Sequence, residues 1–216
     1  MGLDMYLLKR VRHYRKANGT LSRNGRDVRF DNYGRSNAVV EQTMAAYWRK
    51  ANQIHGWFVD NVCGGKDDCK EHDVSIDDLK ELRSVCVKVL ESFNGVLLEI
   101  DPKEKENYLK WLATLPEKSR KEYADTDIVF RWSEKKSMRN VLRGVSHAHV
   151  ISSDKLKVAK SLLPTTVGFF FGSTEYNGCY IQDLVATVKM IDEALADVDN
   201  TPKDAYKPDF VYSASW

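Results

Sequence analysis

Residues 41–62, EQTMAAYWRKANQIHGWFVDNV, carry the reading on which the fold turns. Met44, Tyr47, Trp48, Ala51, Ile54, His55, Phe58 and Val62 recur at steps of three and four. That is the spacing of one face of an amphipathic helix. Cys63-Gly64-Gly65 follows, and glycines there supply a stop. The spacing predicts one long helix over 41–62, with a core line through Met44, Ala51, Ile54 and Phe58. Trp48, Asn52, His55 and Val59 form a second stripe beside it, and Arg49 looks outward. A core helix needs only its apolar stripe. The ring, cation, amide and imidazole of Trp48, Arg49, Asn52 and His55 exceed that need.

Working outward, Ser75 opens a second helix that runs to Phe93 and stops at Asn94-Gly95. Asp78 stands three residues on, in the position of a capping-box partner. Asp101-Pro102 suits the start of a helix over 102–115, with proline in its first turn. Further helices are predicted over 153–163 and 180–198, and a helix with apolar anchors over 117–144. Strands are expected over 3–8, 28–30 and 210–212, the last pairing with the first, and a short strand or linker over 96–100. TTVGFFFGS, 165–173, reads as a buried strand with a tight exit, its three phenylalanines in the core. The fold class is α+β: a mostly helical single domain over 1–216 with a small antiparallel sheet. Residues 1–35 read as a basic, turn-rich arm or hairpin. Residues 117–158 read as a charged, inserted segment.

Composition narrows the function classes. The chain has 216 residues with 43% hydrophobic and 11% aromatic content, enough for a sizeable core. Net charge is +2, so no global field draws the chain onto nucleic acid. The charge is uneven, with nine Lys or Arg against three acids over 1–35, or +6, and three Lys against seven acids over 183–209, or −4. The four cysteines follow no secretory signal, and no apolar run reaches membrane length. A cytoplasmic protein with reduced thiols is expected.

Two groups of residues carry chemistry. A flat anionic ligand wants a cation for phosphate, a ring for stacking and an amide for edge contacts. Trp48, Arg49, Asn52 and His55 supply those types. Ser173, Thr174 and Tyr176 leave the predicted 165–173 strand together, where hydroxyls after a glycine turn can contact an anion. These seven are the expected ligand-binding residues. Cys63-x5-Cys69-x2-His72, with Cys86 and His55, is too widely spaced for a zinc knuckle, so no metal is expected. His147 and His149 fail the paired phosphoesterase pattern. Walker loop, dinucleotide fingerprint, nucleophile elbow and kinase signatures are missing from the sequence. No cofactor is implied, and catalysis has little support.

Several separated motifs resemble a widespread group of small, mostly uncharacterised bacteriophage proteins. They are Gly2-Leu3-Asp4-Met5-Tyr6-Leu7, Tyr47-Trp48-Arg49-Lys50-Ala51-Asn52-x-Ile54-His55-x-Trp57-Phe58-Val59 and Asp67-Asp68-Cys69. Leu163-Pro164-Thr165, Gly168-Phe169-Phe170-Phe171-Gly172-Ser173-Thr174 and the closing Tyr212-Ser213-x-Ser215-Trp216 complete the set. With the stacking-plus-cation residues, the resemblance implies a phage accessory, anti-defence protein in the host bacterial cytosol. It would bind and sequester a nucleotide signal such as a cyclic dinucleotide, without catalysis, as the sponges directed against CBASS do. A homo-oligomer is expected, with no membrane or nucleic-acid partner. Two alternatives stay open. One is a protein–protein inhibitor of a host factor. The other is a nucleotide-processing enzyme using His55 or His149 as general base.

Overall fold

Residues 41–62 do not form one helix. In the computed structural model the stretch is split between strand β3, Ala38–Arg49, and helix α1, Asn52–Asn61. Residues 2–14, 28–30, 38–96, 98–99, 102–118, 120, 130, 132, 149–150, 153–201 and 207–216 are described. The apparent helical period has a local cause. β3 pairs with β1, Asp4–Tyr14, in a register that slips between Leu7 and Leu8, which face Ala46 and Met44. A bulge at Ala45 absorbs the extra residue and breaks the two-residue alternation of a strand. Trp48 is then buried at the strand's end, and Ala51, Ile54 and Phe58 continue inward on α1. Two elements in series imitate one helical stripe. Met44, expected in the core, is 61% exposed.

The sheet is antiparallel, with strand order β2-β3-β1-β7-β4, where β2 is Val28–Phe30, β4 is His72–Val74 and β7 is Asp209–Ser215. β1 is therefore a central strand, flanked by β3 and β7 through Asp4↔Arg49 and Asp4↔Ser215. The expected pairing of first and last strands is present. The expected N-terminal arm or hairpin is not what 4–14 forms, and β2 pairs with β3 rather than with β1. The rest of 1–35 lies outside the described residues, save Gly2 and Leu3. A second, two-stranded sheet joins β5, Leu98–Glu99, to β6, His149–Val150.

Four further helices complete the described elements: α2, Ile76–Ser92; α3, Pro102–Ala113; α4, Ser153–Leu162; and α5, Gly178–Asp199. α2 starts on the predicted capping box: Ser75 Oγ accepts from the Asp78 amide at 3.0 Å, and Asp78 Oδ2 accepts from the Ser75 amide at 2.8 Å. α5 is capped by the buried Asn177, which accepts from the Cys179 and Tyr180 amides. α5 packs against α2 and β3. Leu3 just ahead of β1, Met5 and Leu7 of β1, Phe58 of α1, Leu79 and Leu82 of α2, and Leu184 and Ile191 of α5 meet in one core. Phe58 stacks face to face on Tyr212 of β7, centroids 4.0 Å apart. The chain is thus α+β, with helices dominant and a small antiparallel sheet.

Most of the predicted 117–144 helix falls outside the described residues. Glu117, Lys118 and Arg120 at its start are helical, whereas Phe130 is not: it is buried and exchanges backbone bonds with Gly95 and Val96. Ala159 and Leu163, both beyond the 117–158 segment, are fully buried. No helix among the described residues is long and apolar enough to cross a membrane.

Candidate functional site

Trp48, Asn52 and His55 all point into the protein. The Trp48 indole is 3% exposed, donates to Thr187 Oγ1 at 2.8 Å and meets Phe58 edge-on. The ring singled out for stacking on a ligand is therefore occupied by the core. Asn52 is 1% exposed and spends its whole amide on one loop. Its Nδ2 donates to the carbonyls of Ser173 at 2.9 Å and Phe171 at 3.2 Å, and its Oδ1 accepts from the Thr166 amide at 3.0 Å. This clamp replaces a sheet ladder. The 165–173 stretch, expected as a buried strand, is consequently an irregular loop fixed at three points.

His55 sits between two oxygens. Nδ1 lies 2.8 Å from the Tyr212 hydroxyl, and Nε2 lies 3.1 Å from Asp67 Oδ2. The second contact is close in distance, but its angle falls outside hydrogen-bond geometry. The imidazole also packs against Phe171 and Trp216. His55, Cys63, Asp67, Cys69, His72 and Tyr212 line a crevice of about 10 Å³. That is room for one water molecule and too little for a substrate. Of the cysteine and histidine set noted in sequence, Cys63, Cys69 and His72 thus gather with His55, while Cys86 is buried on α2 and does not line the crevice. Among the described residues no three donors stand where they could hold a metal ion. Burial, with Asp68 and Asp67 adding to it, pushes the Cys63 thiol up to about 11, so it is a poor nucleophile. His72, then Lys70, hold the Asp68 carboxyl down at about 2.

The 173–176 turn is brought to the same region through the Asn52 clamp. Ser173 and Thr174 are exposed. Ser173 Oγ accepts from the Glu175 amide, and the Thr174 carbonyl accepts from Thr165 Oγ1. Tyr176 is half-buried against Tyr180 and lies under the Lys160 ammonium. Arg49 is exposed, 3.2 Å from Asp4, which also accepts from the Tyr47 hydroxyl. For His149 only the backbone, in β6, is described.

The most exposed apolar residues of this region were placed in the core by the sequence reading. Val167 is 85% exposed, Phe169 81% and Phe170 47%, and the two phenyl centroids are 4.2 Å apart. Phe171 alone of the three is buried. Strand geometry held the warning: three successive residues cannot all face one side of a sheet. Phe170 has φ +67°, and Lys50 has φ +61°. Both are left-handed conformations that side-chain-bearing residues adopt at a cost of about 1–3 kcal/mol. The two strained residues are neighbours. The Leu3 amide donates to the Phe170 carbonyl, and the Lys50 amide donates to the Leu3 carbonyl. Gly172, at φ +96°, permits the close pass, since a Cβ there would lie 3.2 Å from the Lys50 carbonyl. Lys50 is exposed and meets no carboxylate among the described residues. The result is a tip of two open phenyl rings beside the Lys50 and Arg49 corner.

A partly buried acid on α5 bonds to Gln53 of α1. Asp183, half-buried on α5, accepts from Gln53 Nε2 at 3.1 Å, and burial pushes its carboxyl up to about 7 despite that bond. An acid whose folded value is raised favours folding while protonated. Its contribution is full below about pH 4, the unfolded value, and is lost as pH rises through about 7. Denaturant titrations across that window are expected to show stability falling with pH. The slope stays below the limit of about 1.4 kcal/mol per pH unit for one proton, because Asp183 is only half-buried. Asp183→Asn should flatten that component.

The separated motifs of Gly2-Leu3, Arg49–Asn52, Leu163–Thr165 and 168–174 meet at this corner, and His55, Asp67, Tyr212 and Trp216 lie directly behind it. Comparison of the chain with family models, with curated proteins and with solved structures returns no match.

Proposed function

We propose that this protein is a non-catalytic binding module that sequesters a nucleotide signal at the Lys50–Phe170 corner. The observation that carries this is the pairing of two open phenyl rings with two exposed cations, where one of each, Phe170 and Lys50, sits on strained backbone. Open rings stack on bases of any identity. Lys50 and Arg49 offer charge-assisted bonds to phosphate. Strain held by surrounding structure fits a surface formed before its ligand arrives. Phe169 and Phe170 take the stacking role first assigned to Trp48, while Asn52 and His55 support the loop from behind. The phage accessory role, acting on a cyclic dinucleotide of a host defence system, rests on the resemblance of the motifs.

The test is a thermal-shift and calorimetric panel of cyclic dinucleotides, linear dinucleotides and mononucleotides. At least one should raise the melting temperature and be recovered chemically intact. Lys50→Ala and Arg49→Ala should each weaken binding about tenfold, and more so at low salt. A panel with no shift and no heat sinks the proposal.

A second reading is favoured by the protrusion of Val167 and Phe169. Apolar residues exposed this far resemble the aromatic anchors by which proteins dock on one another. On that reading the protein is an inhibitor of a host protein. An inert nucleotide panel, together with loss of a captured host partner in Phe169→Ala, would favour it.

A further inference from the structure

The crevice beside His55 holds two thiols on one short loop. Cys63 is buried and anchored at the end of α1, where its amide donates to the Phe58 carbonyl at 2.9 Å. Cys69 is exposed. Both line the same crevice, which has room for one water molecule. The chain between them folds back on itself. The Gly65 amide donates to the Val59 carbonyl at 2.8 Å, and the Lys66 amide donates to the Cys63 carbonyl at 3.2 Å. The other two cysteines lie elsewhere. Cys86 is buried on α2, and Cys179 is half-buried at the start of α5.

The far half of this loop is loosely held. Asp67 comes within 3.1 Å of His55 Nε2, but off the angle of a hydrogen bond. That nitrogen therefore makes no bond among the described residues, although His55 is 1% exposed. Asp68 bonds to Lys70 and His72, so its contacts stay local. Cys69 has φ +57°, and a turn of its backbone toward an ordinary conformation releases strain.

We propose that Cys63 and Cys69 form a reversible thiol–disulfide switch that takes small disulfides of the glutathione class as oxidant. The Cys69 thiolate, open to solvent, attacks one sulfur of the small disulfide. A mixed disulfide forms on Cys69, and one small thiolate leaves. The Cys63 thiolate then attacks Cys69 Sγ, closes the loop across the crevice and expels the second small thiolate. Two protein thiols become one disulfide, and their protons go to the two departing thiolates. Burial, then Asp68 and Asp67, hold the Cys63 thiol up at about 11, so closure is the slower step. The short loop offsets this by keeping the two sulfurs close. Closure draws Cys69 inward and shifts Asp67 against His55. A disulfide with one sulfur near solvent is readily reduced again, which makes it a switch rather than a staple. The switch goes beyond nucleotide binding and is independent of it.

The test treats the folded full chain with oxidised glutathione, quenches with acid and maps the tryptic peptides by mass spectrometry. Cleavage after Lys50, Lys66 and Lys70 puts Cys63 in peptide 51–66 and Cys69 in peptide 67–70. The disulfide should appear as a linked pair of these two peptides and vanish on reduction with dithiothreitol. Conversion of the mixed disulfide to the linked pair should speed up about tenfold per pH unit from about pH 7 to 9, as the Cys63 thiolate fraction grows. Cys63→Ser should stop at the mixed disulfide on Cys69. Cys69→Ser, at an exposed position, should fold and leave Cys63 unmodified. Should Cys63→Ser fail to fold, the wild-type peptide map still decides. A folded protein that yields no linked pair overturns the proposal. So does a pair that forms only in urea, or linkage of Cys69 to Cys86 or Cys179 instead.

Discussion

Replacing Asn52 with alanine is expected to destabilise the fold by about 3 kcal/mol and to free the 165–173 loop. The side chain is buried and makes three bonds, to the Thr166 amide and to the Phe171 and Ser173 carbonyls. Each buried backbone group left without a partner costs about 1–3 kcal/mol. Water entering from the exposed side of Ser173 recovers part of that, which sets the sum near the lower end. Once the clamp is gone, little opposes relaxation of Phe170 out of its left-handed conformation. The strain that shapes the tip is released with the loop. Urea unfolding should show the loss in midpoint. Hydrogen exchange should show it in the amides of Thr166 and Phe171 well before those of α2. Asn52→Asp should be nearly as damaging, because a carboxylate accepts from the Thr166 amide but cannot donate to the two carbonyls. Unchanged exchange at 165–173 would mean that the loop is held by the seat of Phe171 instead.

Phe169→Ala combined with Phe170→Gly should act in the opposite sense, removing binding while sparing or raising stability. A stacked ring contributes about 1–3 kcal/mol per base, so losing both should weaken nucleotide affinity by two orders of magnitude or more. Stability should not fall, since Phe169 is 81% exposed and contributes little burial. Glycine at 170 removes a side chain from a φ of +67°. That should return about 1 kcal/mol, offset in part by the entropy glycine adds to the unfolded chain. Calorimetric binding and thermal melting on the same sample separate the effects. Weak binding with an unchanged or higher melting temperature marks a functional surface. A large drop in melting temperature would show that the tip packs on something and is structural.

The two substitutions divide the residues that the sequence singled out. Trp48, Asn52 and His55 were noticed because polar and aromatic groups exceeded what a helix needs. The excess is real, but its use is internal: an indole to Thr187, an amide to a loop, an imidazole to Tyr212. A side chain's chemical type is the same whether it serves a ligand or the protein's own backbone. Only the partners distinguish the cases. Phe169 and Phe170 were assigned to the core because apolar runs usually are core. Nothing local to GFFFGS states that its backbone is tied elsewhere by an asparagine 114 to 121 residues away in sequence.

By itself the sequence determined what short-range chemistry can encode. The α2 start at Ser75 with Asp78, the proline-led α3, the long α5, the glycine stops and the pairing partner of the last strand all follow from neighbouring residues or strong periodicity. The α+β class follows from them. The split of 41–62 was beyond it, because a strand carrying a bulge loses its two-residue period, and the apolar line continues unbroken into α1. Pairing with β1 and β2 makes 38–49 a strand, and those hydrogen bonds come from distant residues. The site was decided in the same way. Lys50, Phe170 and Gly172 form a strained corner only because Leu3 and Asn52 hold them there, through bonds between residues far apart in sequence.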